Sequence, residues 1–349
     1  MTIEEFFDNY LSQKINLVKL CDGECKGSED GCDYCLIMGT YKDLVEKLKE
    51  EMKVLATDDE ENLPSYFLTG SYRRNTMIRP PKDVDLFLVL DSQEYRGEDL
   101  DDLITPVDLI EKLKTALEKI YEGQNNIEVK SQRHSVTVKY TDNFSIDVIP
   151  AFETEDETAY KIPDAEEGKE DKYITSNPKT HYEYINKVND DTEFSGKKRF
   201  KKIARLIKYI KRKEFNSEPI KLRSFHLELL AAKILEGEKI TSYSDGLHKF
   251  FQKAGSLLDK ASIIDPANPD NKVDDYIEDW DDWTRETIKG KLQSIHETIT
   301  NAVEQESNGN IEESLSYWRT IFNEELEDNK QFTQNVYVGH SPPKPWRSF

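Results

Sequence analysis

Asp83 and Asp85 stand two residues apart where an apolar run from Val84 to Leu90 begins, and Asp147 interrupts a second run, Phe144-Ser145-Ile146-Asp147-Val148-Ile149. Side chains in a strand alternate between faces, so Asp83 and Asp85 project from the same side. Like charges that close are unfavourable unless a cation neutralises them, and a lone carboxylate at 147 carries a heavy desolvation cost. A pair of divalent cations answers both problems, and two-metal phosphoryl transfer is the chemistry that uses such a trio. The competing reading is that each aspartate merely lies at a strand end and reaches water. Upstream, Gly70-Ser71 falls at a strand-to-helix turn, where glycine permits close backbone approach and exposed amides can receive a phosphate.

Gly70-Ser71 followed by Tyr72-Arg73-Arg74-Asn75-Thr76-Met77-Ile78 and Asp83-Val84-Asp85 resembles the pattern of the polymerase-beta-like nucleotidyltransferases, whose serine contacts the triphosphate. The chain resembles more closely the cGAS/DncV-like nucleotidyltransferases (CD-NTases) of bacterial CBASS antiphage systems. His134-Ser135-Val136-Thr137-Val138 leading to Ile146-Asp147-Val148-Ile149-Pro150-Ala151 is similar to the family's third-aspartate strand pair, and Ser176-Asn177-Pro178 to its linker. Ile203-Ala204-Arg205-Leu206-Ile207-Lys208-Tyr209 and Arg223-Ser224-Phe225-His226-Leu227-Glu228 resemble helical segments whose lysine and serine hold the donor triphosphate. Ile264-Asp265-Pro266 and Tyr317-Trp318-Arg319 resemble its later loop and last helix, so the likeness covers roughly 60 to 325. It departs at Ile210 and at Asn323-Glu324-Glu325.

The resemblance implies an α+β fold: a polymerase-beta-like lobe with a mixed sheet, a C-terminal α-helical lobe, and the active site in the cleft between them. It implies Gly70, Ser71, Lys208 and Ser224 as nucleotide-binding residues beside the Asp83, Asp85 and Asp147 magnesium ligands. It also implies NTP substrates with ATP among them, a cyclic di- or trinucleotide product, and a downstream effector that responds to it. A linear oligoadenylate synthase, a toxin-like transferase that nucleotidylates RNA or protein, and a catalytically silent nucleotide-binding module are the competing functions.

The elements that must position these residues follow from periodicity. A short helix over 3–19 precedes the cysteines, and a second carries Tyr41, Leu44, Leu48, Met52 and Leu55 on one face. Strands are expected at 66–69, 84–90, 126–131, 134–140 and 144–149, with an amphipathic helix opened by Thr105-Pro106. Two acidic stretches, 91–102 and 153–171, read as solvated segments. Helical periods then recur at about 177–189, 197–213, 223–236, 244–258, 283–306 and 311–325. The expected organisation is N-terminal helices with the cysteine loop over 1–59, a catalytic core over 60–152, a helical lobe over 153–327, and an extended proline-containing tail over 328–349 that a regulatory protein could bind.

Cys21, Cys25, Cys32 and Cys35 are the only cysteines, with ligand-like separations and intervening glycines. A closed structural zinc site and unligated thiols are the two readings. The six histidines show no x3 or x4 spacing, so a histidine metal site has little support, and His226 reads as a core residue. Between Lys197 and Lys213 lie ten Lys or Arg and no acid, either a solvated helix face or the one place where a nucleic-acid activator could dock.

The formal net charge of −21 repels phosphate backbones at long range, which disfavours broad duplex binding, whereas a nucleotide with magnesium needs only a local basic pocket. The N-terminus lacks the basic start and apolar run of a secretory signal, and no aliphatic stretch is long enough for a membrane span. A cytoplasmic enzyme is the expectation.

Overall fold

The structure is a computed structural model, and it describes residues 1–20, 32–56, 65–96, 102–141, 144–155, 159–165, 172–215 and 222–322. In chain order the helix α1 (Ile3–Tyr10) continues into a π-helical turn (Leu11–Ile15) and is followed by α2 (Asp33–Glu51), β1 (Tyr66–Leu68), α3 (Gly70–Arg73), β2 (Val84–Val89) and α4 (Pro106–Ile120). Next come β3 (Glu128–Ser131), β4 (Val136–Thr141), β5 (Phe144–Glu153), β6 (Tyr160–Asp164), β7 (Lys172–Ser176) and α5 (Pro178–Asp191). The remainder is α6 (Phe200–Glu214), α7 (Ser224–Leu235), α8 (Tyr243–Leu257), the short pair β8 (Ile264–Asp265) and β9 (Asn268–Lys272), a 3-10 turn (Asp275–Asp279), α9 (Asp282–Ser307) and α10 (Ile311–Phe322).

The chain divides into two compact units, one built on Leu17–His181 and one of Met1–Asn16 with the described residues from Tyr182 on. These breaks differ from the expected boundaries at 59/60 and 152/153. The first helix packs in the helical unit, while β6 and β7 extend the sheet, so 153–181 stays with the sheet. The acidic stretch 153–171 hid β6 because Tyr160-Lys161-Ile162-Pro163-Asp164 has no clean apolar alternation and is recruited by the far end of the ten-residue β5. The 328–349 tail lies outside the described residues.

In the sheet unit the strand order is β1-β2-β5-β4-β3, with β6 joined to β5 and β7 to β6. β2 and β5 run parallel and the other pairs antiparallel, giving the mixed sheet expected. Parallel strands are stable when both faces are covered, and β2 is buried at every position except Asp85. Val84, Leu86 and Leu88 point with Val136, Val138, Ile146 and Val148 toward Leu44 and Leu48 of α2 and Leu109, Leu113 and Leu117 of α4. Each such fully buried side chain contributes about 1.5–3 kcal/mol. The opposite face holds a smaller cluster of Phe67, Phe87, Val89, Ala151 and Ile162. Odd-numbered positions of β2 and β5 face this second side, which fixes where Asp85 and Asp147 point.

In the helical unit α1 places Ile3, Phe6, Phe7 and Tyr10 on one face, and its start is closed by a capping box between Thr2 and Glu5. Phe7 meets Trp318 of α10 edge-to-face at 4.9 Å. Among the ten basic residues in the 197–213 run, Lys198 pairs with Asp190 and Arg199 with Glu4 just before α6, and Lys202 with Asp8 and Lys208 with Glu228 within it.

His226 is buried as expected of a core residue, with Nδ1 2.9 Å from the Tyr276 hydroxyl. Burial depresses its pKa to about 4, from 6.5 in water, against the pull of Asp274. The folded state therefore binds fewer protons than the unfolded state below pH 6.5. Stability of the helical unit should fall as pH drops from about 6.5 toward 4, at up to about 1.4 kcal/mol per pH unit from this group. His226→Gln should flatten that limb in urea titrations at several pH values.

Candidate active site

Asp85 of β2 and Asp147 of β5 are direct register partners, and Asp147 is in turn the partner of Thr137 on β4. Three adjacent strands thus carry a polar row, Asp85–Asp147–Thr137, across the second face of the sheet. Asp83 precedes β2 with φ 48°, a left-handed conformation that aspartate tolerates better than most residues. Its Oδ1 accepts a hydrogen bond from Ser145 Oγ at 2.9 Å, which forms the next row. The sequence placed Asp83 and Asp85 on one side by alternation. It did not show that Asp147 would fall opposite Asp85, because strand register depends on pairing that is non-local.

Gly70 closes the site from below. Its φ is 61°, and a Cβ there would stand 1.7 Å from Asp85 Oδ2 and 2.7 Å from Asp85 Cγ. Thr69 N–H donates to the Asp85 carbonyl at 2.9 Å, locking the turn to the strand. Ser71 follows in α3, partly buried, and its carbonyl accepts from the N–H groups of Thr76 and Met77.

Burial raises the pKa of Asp147, the Asp83 charge raises it further, and the 2.5 Å hydrogen bond donated by Thr137 Oγ1 to Asp147 Oδ1 opposes both. Among the described residues no group of three or more His, Cys, Asp or Glu forms a ready metal cage. Magnesium takes hard oxygen ligands and leaves positions for substrate phosphates, so it does not require an all-protein cage. The donor set fits such an ion: hard oxygen ligands, mutually repelling, with Asp147 partly desolvated.

Lys208 and Ser224 belong to the helical unit. Lys208 is buried, its ammonium paired with the buried carboxylate of Glu228, and Ser224 opens α7 with its hydroxyl 3.5 Å from Lys211 Nζ. Glu228 was not singled out from sequence; a buried acid facing a lysine across two helices leaves no local spacing signal. Removing one partner of a buried ion pair costs about 3–5 kcal/mol, because the other charge is stranded. Glu228→Leu should therefore lower stability by about that amount, and adding Lys208→Met should recover most of the loss in urea denaturation.

Cys21 and Cys25 lie outside the described residues. Cys32 and Cys35 are buried thiols, and Cys32 Sγ caps α2 by accepting from Cys35 N–H at 3.4 Å. The structure brings together two histidines that the sequence left scattered, His248 and His296, with ring centroids 5.4 Å apart.

Residues 38–189 match the model of the Second Messenger Oligonucleotide or Dinucleotide Synthetase domain, a span that contains Gly70, Ser71 and the three aspartates. A cyclic AMP-AMP-AMP synthase of Escherichia coli (strain MS 115-1) is 24% identical over 67% of this chain and 76% of its own length. These likenesses support a nucleotidyltransferase of the cGAS/DncV type. Among solved structures, the chain superposes on Escherichia coli MS115-1 CdnC with ATP at a TM-score of 0.63, 19% identity, 92% of this chain and 98% of that one. CdnC in a complex with HORMA-deltaN gives 0.62, 19% identity, 91% and 96%. The cyclic AMP-GMP synthase DncV of Vibrio cholerae gives 0.54, 17% identity, 74% and 68%. These likenesses show that the α+β architecture read from the sequence is the CD-NTase fold.

Proposed function

We propose that the protein makes a cyclic di- or trinucleotide second messenger from NTPs, ATP among them, in antiphage defence. The observation that carries this reading is the register pairing of Asp85 with Asp147, with Asp83 alongside and Gly70 pressed against the Asp85 carboxylate. The likeness to a cyclic AMP-AMP-AMP synthase supports ATP as a substrate.

Asp83, Asp85 and Asp147 would hold two magnesium ions, which supply charge neutralisation for the triphosphate and polarise the acceptor hydroxyl. Asp85 and Asp83 orient the donor triphosphate for in-line displacement at its α-phosphorus, and the Ser71 hydroxyl donates to the phosphates. Asp147 would offer Oδ2 to the cation beside the acceptor ribose, since Thr137 occupies Oδ1, and can take up the hydroxyl proton as the acceptor oxygen attacks. The new bond joins the ribose oxygen to the α-phosphorus as the bond to the β-phosphate breaks and pyrophosphate leaves. Lys208 and Ser224 would be the triphosphate contacts that the family resemblance implies; for Lys208 that would mean exchanging its contact with Glu228 for a phosphate oxygen.

The likeness to CdnC bound to HORMA-deltaN supports a regulatory protein partner of that kind. No described helix is long and apolar enough to cross a membrane. The four cysteines would hold a structural zinc; one equivalent of zinc in the purified protein, lost together on Cys32→Ser and Cys35→Ser, is the expected outcome by elemental analysis. The activity itself is tested by incubating the protein with all four NTPs and magnesium, then treating the products with nuclease and phosphatase. A resistant product of cyclic mass is expected; linear chains, or labelled RNA or protein, would replace the reading with one of the other transferases.

A further inference from the structure

Asp147 and Asp83 each have one oxygen held by a hydroxyl donated from the sheet. Thr137 Oγ1 donates to Asp147 Oδ1 at 2.5 Å, and Ser145 Oγ donates to Asp83 Oδ1 at 2.9 Å. The backbone fixes both donors. Thr137 is the Cα partner of Asp147 in the β4–β5 ladder, and Ser145 lies two residues before Asp147 on β5, hence on the same face. Ser145 is buried, so its hydroxyl is shielded from water that could replace the bond. A carboxylate has two oxygens, and fixing one with a strong donor turns the other outward in a defined direction. On the Oδ2 side of Asp85 the Gly70 position leaves no room for a Cβ.

We infer that Thr137 and Ser145 are positioning residues of the active site: their hydroxyls hold Asp147 and Asp83 so that the remaining oxygen of each faces the shared divalent cations. This rests on the reading of the trio as the magnesium site. Hydrogen-bond donors to ligating carboxylates typically contribute 10- to 100-fold in metal affinity or activity. A hydroxyl that only packed the strand would instead be replaceable by a group of equal volume.

The test uses the full chain with Thr137→Val, Thr137→Ser, Ser145→Ala and Asp147→Asn. Two quantities are read: the magnesium concentration for half-maximal pyrophosphate release, and the manganese concentration for half-maximal thermal shift with a non-hydrolysable ATP analogue. Thr137→Val is expected to raise both about 10- to 100-fold, Thr137→Ser to stay within a few-fold of the natural protein, and Ser145→Ala to raise both by a smaller factor. The natural metal dependence in folded Thr137→Val, or in Ser145→Ala should the valine variant not fold, overturns the inference. Turnover retained by Asp147→Asn overturns the trio itself, and so separates failure of the underlying reading from failure of this one.

Discussion

Asp147→Asn is expected to lower nucleotidyl transfer by at least about 1000-fold while making the metal-free protein more stable. The loss follows from removing the one carboxylate that both faces the acceptor and accepts its proton; electrostatic groups of this kind are worth about 100- to 1000-fold singly, and a base adds to that. The gain follows from linkage. The folded-state pKa of Asp147 lies above 3.8, its ordinary value, because burial and the Asp83 charge oppose ionisation. Between those two values the native state binds more protons than the unfolded chain, so stability declines as pH rises through that window and stays reduced above it. Asparagine is nearly isosteric, can still bond Thr137, and carries no charge to desolvate. Urea denaturation in EDTA should show a gain of about 0.5–2 kcal/mol at neutral pH and a flatter acid limb. Adding magnesium and nucleotide should stabilise the natural protein and leave the variant unmoved.

Gly70→Ala should be as damaging to activity, for a different reason. An alanine Cβ at 1.7 Å from Asp85 Oδ2 cannot be accommodated without moving the carboxylate, and the left-handed backbone at φ 61° adds strain for any L side chain. The Thr69–Asp85 backbone bond ties turn and strand together, so relief comes from rotating the Asp85 side chain out of the row. A displacement near 1 Å at a catalytic group costs about 100-fold or more. The expected result is a loss of at least that size in kcat, with far-ultraviolet circular dichroism unchanged. Full activity in Gly70→Ala would show that the Asp85 carboxylate is not needed where the structure places it.

Much of this site was legible because its signals are local. The two-residue spacing of Asp83 and Asp85, the apolar run behind them and the Gly-Ser turn all lie within a short stretch, and strand alternation converts spacing directly into direction. The helices of the second unit were legible for the same reason, since 3.6-residue periodicity is read along one segment. What escaped was set by pairing between distant segments. Thr137 and Ser145 carry no motif; their roles appear only once β4 and β5 are in register. Glu228 faces Lys208 across a helix–helix contact, and β6 exists as a strand because β5 runs long enough to recruit it. The assignment of the first helix to the helical unit was likewise invisible, since an amphipathic face such as Phe6-Phe7-Tyr10 says that it must be covered and not by what.

The central claim is that the Asp83–Asp85 pair and Asp147, from separate parts of the chain, share divalent cations. Crystals grown with manganese and a non-hydrolysable ATP analogue test it directly through the anomalous signal of the metal. The account predicts density bridging Asp83, Asp85 and Asp147, with metal–oxygen distances of about 2.0–2.2 Å and nucleotide phosphates completing the coordination. Metal bound to the nucleotide alone, with the Asp147 carboxyl turned away from it, would contradict the account.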